Sequence, residues 1–465
     1  MGINLNIENK KKIYGWARHD YSLSYFNEFD NIEKIDEAFN YAIKKNLKVA
    51  LRANGRSYGD NSLNDDNIIL RHTKFDKILN FDTSKGIISV QSGITLDKVI
   101  NYTVPLGWIF HVCPAHRYIT VSGSLSNNVH GKNCFRKGYF GDYVEEFTFY
   151  SYSKGILKCS RTINEKYFYS IISGIGILGL ILEVKIKLKK INSFYLSNQT
   201  KKFNNIESIV EDMEISKEKN EFNIGSLDAT KYSNNNLAGI MFSSNFLEDN
   251  NLEIKNYNPN ALVILANYLY MIGKNFPFVL SILNQIVSFR TRGSLAKNKT
   301  SASVVSFAQM NFLNDMYVPK YNYFFKNGFI EYQVVFNKKE ALGAFHKLRH
   351  VLKKNNTYSL LSSFKAYKKV DQPYLFGLSK DGYCISFDVP YDKNLNMDNL
   401  VRELNEVTIK FNGQLYLAKT PCINSKEFNE MYTNLDKFKD IKKELDPNNI
   451  IQSNLSRRLG LDQNL

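Results

Sequence analysis

A chain of 465 residues with 43% hydrophobic and 23% charged content has the composition of a folded protein of two or three domains, which excludes a disordered chain or a disulfide-stapled mini-protein. Its net charge of +16 reads either as attraction to phosphate or an anionic membrane or as lysine spread over solvated surface; without a dense basic block or a nucleic-acid motif, no nucleic-acid partner is expected. Cys113, Cys134, Cys159, Cys384 and Cys422 are scattered, odd in number and without a CxxC pair, so no metal site and no disulfide framework is expected and a reducing compartment fits.

The first residues, Met1-Gly2-Ile3-Asn4-Leu5-Asn6, lack a charged stretch followed by an apolar run, so the chain reads as cytoplasmic with no signal peptide, and no run has transmembrane length. Residues 30–47 carry helical spacing behind Asp30-Asn31. Residues 48–52 read as a strand that opens into Ala53, Asn54, Gly55, Arg56, Ser57, Tyr58, Gly59, Asp60 and Asn61. Glycine lets such a loop reach positive φ, and successive free N–H groups make a concave anion site suited to a pyrophosphate. An ordinary turn between strands has the same look. Residues 67–70 and 86–90 read as strands, and 96–102 as a helix stopped by Pro105-Leu106-Gly107, so the first 110 residues mix helix and strand in an α+β manner.

Residues 114–133 are too irregular for a plain helix or strand. They gather small side chains and amide donors, among them Ala115, Thr120, Val121, Ser122, Gly123, Asn127 and Asn128, before His130-Gly131-Lys132-Asn133. Strands are expected at 146–152 and 156–159. A turn-rich stretch at 171–179 contains Gly179, and a long strand at 180–188 contains Ile181; from Leu182 to Leu188 apolar and charged residues alternate, so one face is buried. The texture changes at about 191, where strand-like runs at 238–242, 330–336 and 383–389 with helices between them suggest a separate α+β domain. Within it, 261–289 is apolar, broken by Lys274, Asn275 and Pro277, and followed by Arg290, Arg292 and Lys297. That segment reads as two buried helices or as an interfacial segment whose basic residues meet lipid headgroups. Near the end, Leu415-Tyr416-Leu417-Ala418 precedes Lys419, which either projects from a strand end into a protected space or is solvated.

Several of these pieces fall together. Tyr14-Gly15-Trp16-Ala17-Arg18, Gly55-Arg56-Ser57-Tyr58-Gly59-Asp60-Asn61, Thr120-Val121-Ser122-Gly123, His130-Gly131-Lys132-Asn133, Gly138-Tyr139-Phe140-Gly141, Tyr332-Gln333, Tyr416-Leu417-Ala418-Lys419, Asp446-Pro447 and Ser456-Arg457-Arg458-Leu459 resemble the vanillyl-alcohol-oxidase or p-cresol-methylhydroxylase-type flavoproteins, in particular the oxidases of polyprenylphosphoryl ribose. The likeness runs nearly end to end and is weakest at 191–320. It implies an α+β fold with a two-subdomain FAD-binding domain at 1–190, a substrate cap domain with an antiparallel sheet at 191–410, and a segment at 411–465 that returns to the FAD domain.

By the same resemblance, Ala53 to Gly59 with Asn61, and Ala115 with Thr120 to Gly123, hold the pyrophosphate of FAD. Asn127, Asn128, His130, Gly179, Ile181 and Tyr416 line the rest of the flavin site. Many relatives attach FAD through a His in the first loop; none stands there here, so the FAD is expected to be non-covalent. Lys419 is the leading catalytic candidate, a cation that stabilises negative charge on the reduced ring and orients the substrate oxygen. His130 is the second, either as acceptor of the hydroxyl proton or only as a hydrogen-bond partner of flavin or backbone. Lys132, Tyr323, Gln333 and Lys365 are candidate contacts to a sugar phosphate. The family carries a Cys on a late strand facing the flavin; Ser386 takes that place, with Cys384 two residues earlier. The implied reaction oxidises the ribose 2-hydroxyl of a polyprenylphosphoryl ribose at the inner face of the plasma membrane, with peripheral contact through 261–297 and an NAD(P)H-dependent short-chain reductase as partner. A soluble alditol or aldonolactone is the alternative substrate, and a sugar-lipid-binding module without chemistry is the third reading.

Overall fold

The computed structural model describes residues 5, 7–230, 233, 236–254, 259, 261–273, 275–276, 278–279, 282, 301–419 and 422–463. Three sheets follow one another along the chain. The first contains β1 (Lys11–Tyr14), β2 (Tyr21–Glu28), β3 (Val49–Arg52) and β4 (Ile68–Arg71) in the order β1-β2-β4-β3. β1 and β2 form an antiparallel pair, while β4 runs parallel to both β2 and β3. Parallel neighbours need a crossover, and the helix Glu33–Lys44 supplies it. Its buried residues, Ile35, Ala38, Phe39 and Ala42, recur at three- and four-residue steps and so form one apolar stripe.

The second sheet is antiparallel: β5 (Ile78–Asp82), β6 (Ile87–Gln91), β7 (Trp108–Phe110), β8 (Val144–Ser151), β9 (Gly155–Ser160) and β10 (Leu180–Lys190), in the order β5-β6-β10-β8-β9 with β7 also on β10. β10 is central because its alternation suits a strand packed on one face. Leu182, Val184, Ile186 and Leu188 are buried while Glu183 and Lys185 are exposed.

The third sheet has eight antiparallel strands: β11 (Tyr195–Phe203), β12 (Phe222–Leu227), β13 (Gly239–Phe246), β14 (Ser301–Ser306), β15 (Phe329–Asn337), β16 (Ser362–Tyr367), β17 (Gly382–Pro390) and β18 (Gln414–Leu415). Their order is β14-β11-β13-β12-β16-β17-β15-β18. β15 and β17 are buried on both faces along almost their whole length. The helix Lys338–Lys354 covers them on one side, and Gln333 reaches His130 on the other. The chain end threads back to the start: Val49 donates to the Ile450 carbonyl (2.8 Å), and Gln452 to that of Val49 (3.0 Å).

The irregular stretch at 114–133 contains one short helix, Val121–Ser126, whose first turn is capped by the Thr120 hydroxyl accepting from the Gly123 amide. In the apolar segment expected at 261–297, the helix Ala261–Gly273 is not buried all round. Ile264, Leu265, Tyr268, Leu269 and Ile272 are exposed, while Met271 packs against a cluster that includes Tyr58, Tyr321 and Phe329. Lys274, Pro277, Arg290, Arg292 and Lys297 lie outside the described residues. Among the described residues, no helix is long and apolar enough to cross a membrane.

Candidate active site

β3 delivers the first loop into the centre of the molecule. Gly55 has φ +61°, and a Cβ there would stand 2.2 Å from Nη2 of Arg52, which is held by the Tyr14 carbonyl and by Ser62. The loop is then clamped from two directions. Trp16 donates to the Ser57 carbonyl (2.9 Å) and Ala17 to that of Tyr58 (3.1 Å). Tyr58 and Gly59 donate to the carbonyls of Ala418 (3.2 Å) and Lys419 (3.0 Å), and Asn61 Nδ2 to that of Leu417 (2.8 Å). Ahead of this clamp, the amides of Asn54, Gly55, Arg56 and Ser57 have no acceptor among the described residues.

These segments wall a cavity enclosing roughly 1220 Å³ of empty space, its mouth included, large for a small-molecule site. Of the residues singled out in the sequence, Ala53, Asn54, Gly55, Arg56, Ser57, Tyr58, Asn61, Ala115, Thr120, Ser122, Gly123, Asn127, His130, Lys132, Gly179, Ile181, Lys365, Tyr416 and Lys419 line it. Six do not. Gly59 sits behind the loop on the Lys419 carbonyl. Val121 is in the core. Asn128 accepts from the Gly141 amide through its side chain. Gln333 stands behind His130, and Ser386 shares a 2.7 Å hydrogen bond with Ser363. Tyr323 is exposed, with the Arg18 guanidinium 4.4 Å from its ring centre.

The lining suits a long polar ligand such as FAD. Buried Asn61 Oδ1, Asn127 Oδ1 and His130 Nδ1 have no hydrogen-bond partner among the described residues, an arrangement that is costly unless a ligand or water completes it. The two loops contribute differently from the expectation. Val121 and Ser122 donate their amides to the carbonyls of Ile94 (2.9 Å) and Ser92 (2.8 Å), and Gly123 donates to Thr120. Free amides therefore come from 54–57, while 120–123 offers two hydroxyls and a bare glycine. Gly179, at φ +148°, closes another wall. A Cβ there would lie 2.4 Å from the Phe149 ring and 2.5 Å from the Tyr150 carbonyl oxygen.

The polar wall is more paired than the sequence implied. Lys419 Nζ lies 2.9 Å from Glu331 Oε2 and 3.8 Å from the centre of the Tyr58 ring. Glu331 stands opposite Asp388 in the β15–β17 register. Burial, with the charge of Glu331, pushes the Asp388 carboxyl well above the usual carboxylate range. His130 Nε2 is 3.0 Å from Gln333 Nε2, a donor-only group, so Nε2 is the acceptor and Nδ1 carries the hydrogen. Burial and the positive charges of Lys365 and Lys419 hold His130 well below its ordinary pKa. Of its two expected roles, the geometry favours donor over base. Lys132 is also pushed down by burial, and its amine is committed to the carbonyls of Met310 and Asn311. Lys365 lines the cavity without a hydrogen-bond or carboxylate partner among the described residues, and burial lowers its pKa.

Glu331, Asp388 and His116 escaped the sequence reading. Strand periodicity offered a signal for two of them, since Glu331 lies two residues from Gln333 and Asp388 two residues from Ser386, on the same strand faces.

Comparison with known proteins agrees with this architecture. Residues 24–160 match the FAD binding domain family, and residues 186–459 match the D-arabinono-1,4-lactone oxidase family. The chain is similar to decaprenylphosphoryl-beta-D-ribose oxidase of Mycolicibacterium smegmatis, 24% identical over 97% of this chain and 98% of the relative. It is also similar to L-gulonolactone oxidase of Scyliorhinus torazame, 24% identical over 34% and 35% of the two chains. Cytokinin dehydrogenase 2 of Arabidopsis thaliana is 27% identical over 31% and 29%.

Proposed function

The chain belongs to the D-arabinono-1,4-lactone oxidase family and is an FAD-dependent oxidoreductase acting on CH–OH groups of the sugar or lactone type, and from that premise we propose that it oxidises the 2-hydroxyl of a polyprenylphosphoryl-β-D-ribose to the 2-keto sugar. When bound, the flavin supplies the two-electron acceptor for hydride from the carbinol carbon. The chain holds the cofactor through the amides of 54–57 and the lining of 120–130. It excludes bulk water by burying that wall, and it places Lys419 where a cation orients the substrate oxygen and favours negative charge. His130 donates from Nδ1.

The observation that carries the choice of substrate is Lys365, an amine on the cavity wall with no hydrogen-bond or carboxylate contact among the described residues, which burial disfavours as a cation and the Glu331 charge supports only from a distance. A phosphodiester supplies one matching negative charge; a neutral lactone or alditol does not. The exposed apolar face of Ala261–Gly273 stands beside the cluster that holds Tyr58, a place suited to a prenyl tail or a lipid surface. On this reading the enzyme works at the inner face of the plasma membrane in cell-envelope arabinose-donor synthesis, and an NAD(P)H-dependent short-chain reductase takes the keto sugar to the 2-epimer. The family match and the likeness to L-gulonolactone oxidase favour the second reading, oxidation of a soluble aldonolactone or alditol.

Anaerobic mixing decides between them. Flavin absorbance near about 450 nm should bleach with a farnesylphosphoryl ribose and persist with free alditols and lactones. Bleaching by the soluble sugars alone refutes the proposal.

A further inference from the structure

An alcohol that loses hydride must also lose its hydroxyl proton, and the wall contains a route for it that avoids His130. Tyr58 Oη lies 3.1 Å from His116 Nε2, and His116 Nδ1 lies 3.3 Å from Asp315 Oδ1. Tyr58 and His116 both line the cavity and are 3% and 4% exposed, whereas the Asp315 side chain, at 15%, is the member nearest solvent. The Trp16 ring packs on both, with centroids 4.6 Å from Tyr58 and 4.7 Å from His116, and fixes the imidazole in place. Asp315 is fixed too, by the Arg117 amide at 2.8 Å from Oδ2.

The tautomer follows from the donors around the ring. Asn314 Nδ2, which can only donate, approaches His116 Nε2 at 3.5 Å. Nε2 is therefore the accepting nitrogen, and Nδ1–H points to Asp315. Burial alone would push Asp315 up, but the His116 bond and the neighbouring positive charges hold it below the usual carboxylate value, so it stays ionised. Burial first, then the charges of Glu331 and Asp388 and a side-chain hydrogen bond to Glu331, raise Tyr58 well above the ordinary phenol value, so it rests as a neutral phenol whose hydroxyl has both Glu331 and His116 within reach.

We propose that Tyr58, His116 and Asp315 form the proton exit of the oxidation, with Tyr58 receiving the substrate hydroxyl proton while it passes its own to His116. The proposal rests on the oxidase reading above. As the carbinol C–H bond breaks and its electron pair leaves as hydride for the bound FAD, the C=O bond forms and the O–H proton moves to Tyr58 Oη. The Tyr58 proton moves in concert to His116 Nε2, and the resulting imidazolium is held by Asp315. This is the logic by which a carboxylate orients an imidazole and stabilises its charge. His130 is the poorer acceptor, because protonating it would add a third cation between Lys365 and Lys419. The charged groups that face the relay are Lys419 over the Tyr58 ring, Glu331 paired with Lys419 and hydrogen-bonded to the Tyr58 side chain, Asp388 opposite Glu331, and Arg56 and Arg117 beside Asp315. Asp315 acts through His116 and is a positioning residue.

The test uses FAD-loaded Tyr58→Phe, His116→Gln and Asp315→Asn, reduced anaerobically by whichever of farnesylphosphoryl ribose, xylitol or an aldonolactone bleaches the wild type. Each variant should lose about 100-fold or more in reduction rate, the usual worth of general base catalysis, with flavin content and substrate affinity unchanged. The pH profile of the reduction rate should differ between the wild type and His116→Gln. Rates within about threefold of wild type, or lower rates with the wild-type pH profile intact, overturn the relay and leave these residues structural. If no probe bleaches the wild type, the oxidase reading fails, and 15N-histidine spectra still judge the relay. The signal lost in His116→Gln should report an Nδ1-protonated ring in the wild type and a mixed tautomer in Asp315→Asn; an Nε2-protonated ring overturns it.

Discussion

Lys419→Met separates the stability of the ion pair from its part in catalysis. The substitution keeps the aliphatic stem but leaves Glu331 facing Asp388 with its cation gone. Removing one partner of a sequestered pair costs about 3–5 kcal/mol. The two side chains are 18% and 9% exposed, so the lower end applies, and about 3 kcal/mol is expected. The lost contact with the Tyr58 ring contributes about 1 kcal/mol of it. Lys419→Met/Glu331→Gln removes both charges and should regain all but about 1 kcal/mol, because a neutral pair can be buried at little cost. Activity should not return. Both proteins should reduce flavin about 100- to 1000-fold more slowly, the scale of losing one charge-stabilising donor. Urea unfolding of the FAD-saturated proteins and stopped-flow reduction measure the two quantities. A double variant no more stable than the single one, or a single variant with near wild-type rates, would refute the reasoning.

Burial and the Arg71 charge pull His72 from its ordinary 6.5 to about 4. The unfolded chain therefore binds this proton at a higher pH than the fold does, and stability should drop as pH falls from 6.5 to about 4. His72→Gln should flatten that slope in urea midpoints; an unchanged slope would dismiss His72 as its source. Gly179→Ala forces a methyl into Phe149 and the Tyr150 carbonyl at positive φ, so it should cost about 2–4 kcal/mol and lower the flavin content of the purified protein. A stable, fully loaded variant would place the chain differently there. With no His in the first loop, denaturation in acid should release all the flavin into solution; yellow colour precipitating with the chain would disprove non-covalent binding.

Much of the scaffold was legible because its strands carry their burial in their alternation. β10 announces itself through Leu182, Val184, Ile186 and Leu188, and β15 and β17 through apolar runs set between turns. β1, β11 and β14 went unread because Lys11–Tyr14, Tyr195–Phe203 and Ser301–Ser306 are polar or largely exposed, and only pairing with neighbours makes them strands. The site divides the same way. The loop at 53–61 was visible since glycine and small residues behind a strand leave few other uses. The amide bookkeeping of 120–123 was not, because the acceptors, Ser92 and Ile94, are chosen by tertiary packing. Glu331 against Asp388 depends on cross-strand register, and His116 against Asp315 joins residues 199 apart in sequence.

The charges around the cavity explain why a strongly basic chain can build a selective site. Net charge acts at long range and is screened beyond about 10 Å in salt, so the +16 of the whole chain cannot distinguish one sugar from another. Selectivity comes from what each buried ammonium has left to give. Lys132 is spent on two carbonyls and serves to tie 130–133 to 310–311. Lys419 is balanced by Glu331, so it can lean toward a developing negative oxygen without having repelled its own surroundings in the resting state. Among the described residues, Lys365 lines the wall without a hydrogen-bond or carboxylate contact, and the Glu331 charge acts on it only from a distance. On the proposed reading, a ligand that brings one negative charge there would complete the electrostatics and leave its neutral end for Lys419, His130 and Tyr58 to orient, and the phosphate contact and the hydroxyl contact would be separated by which lysines are already paired.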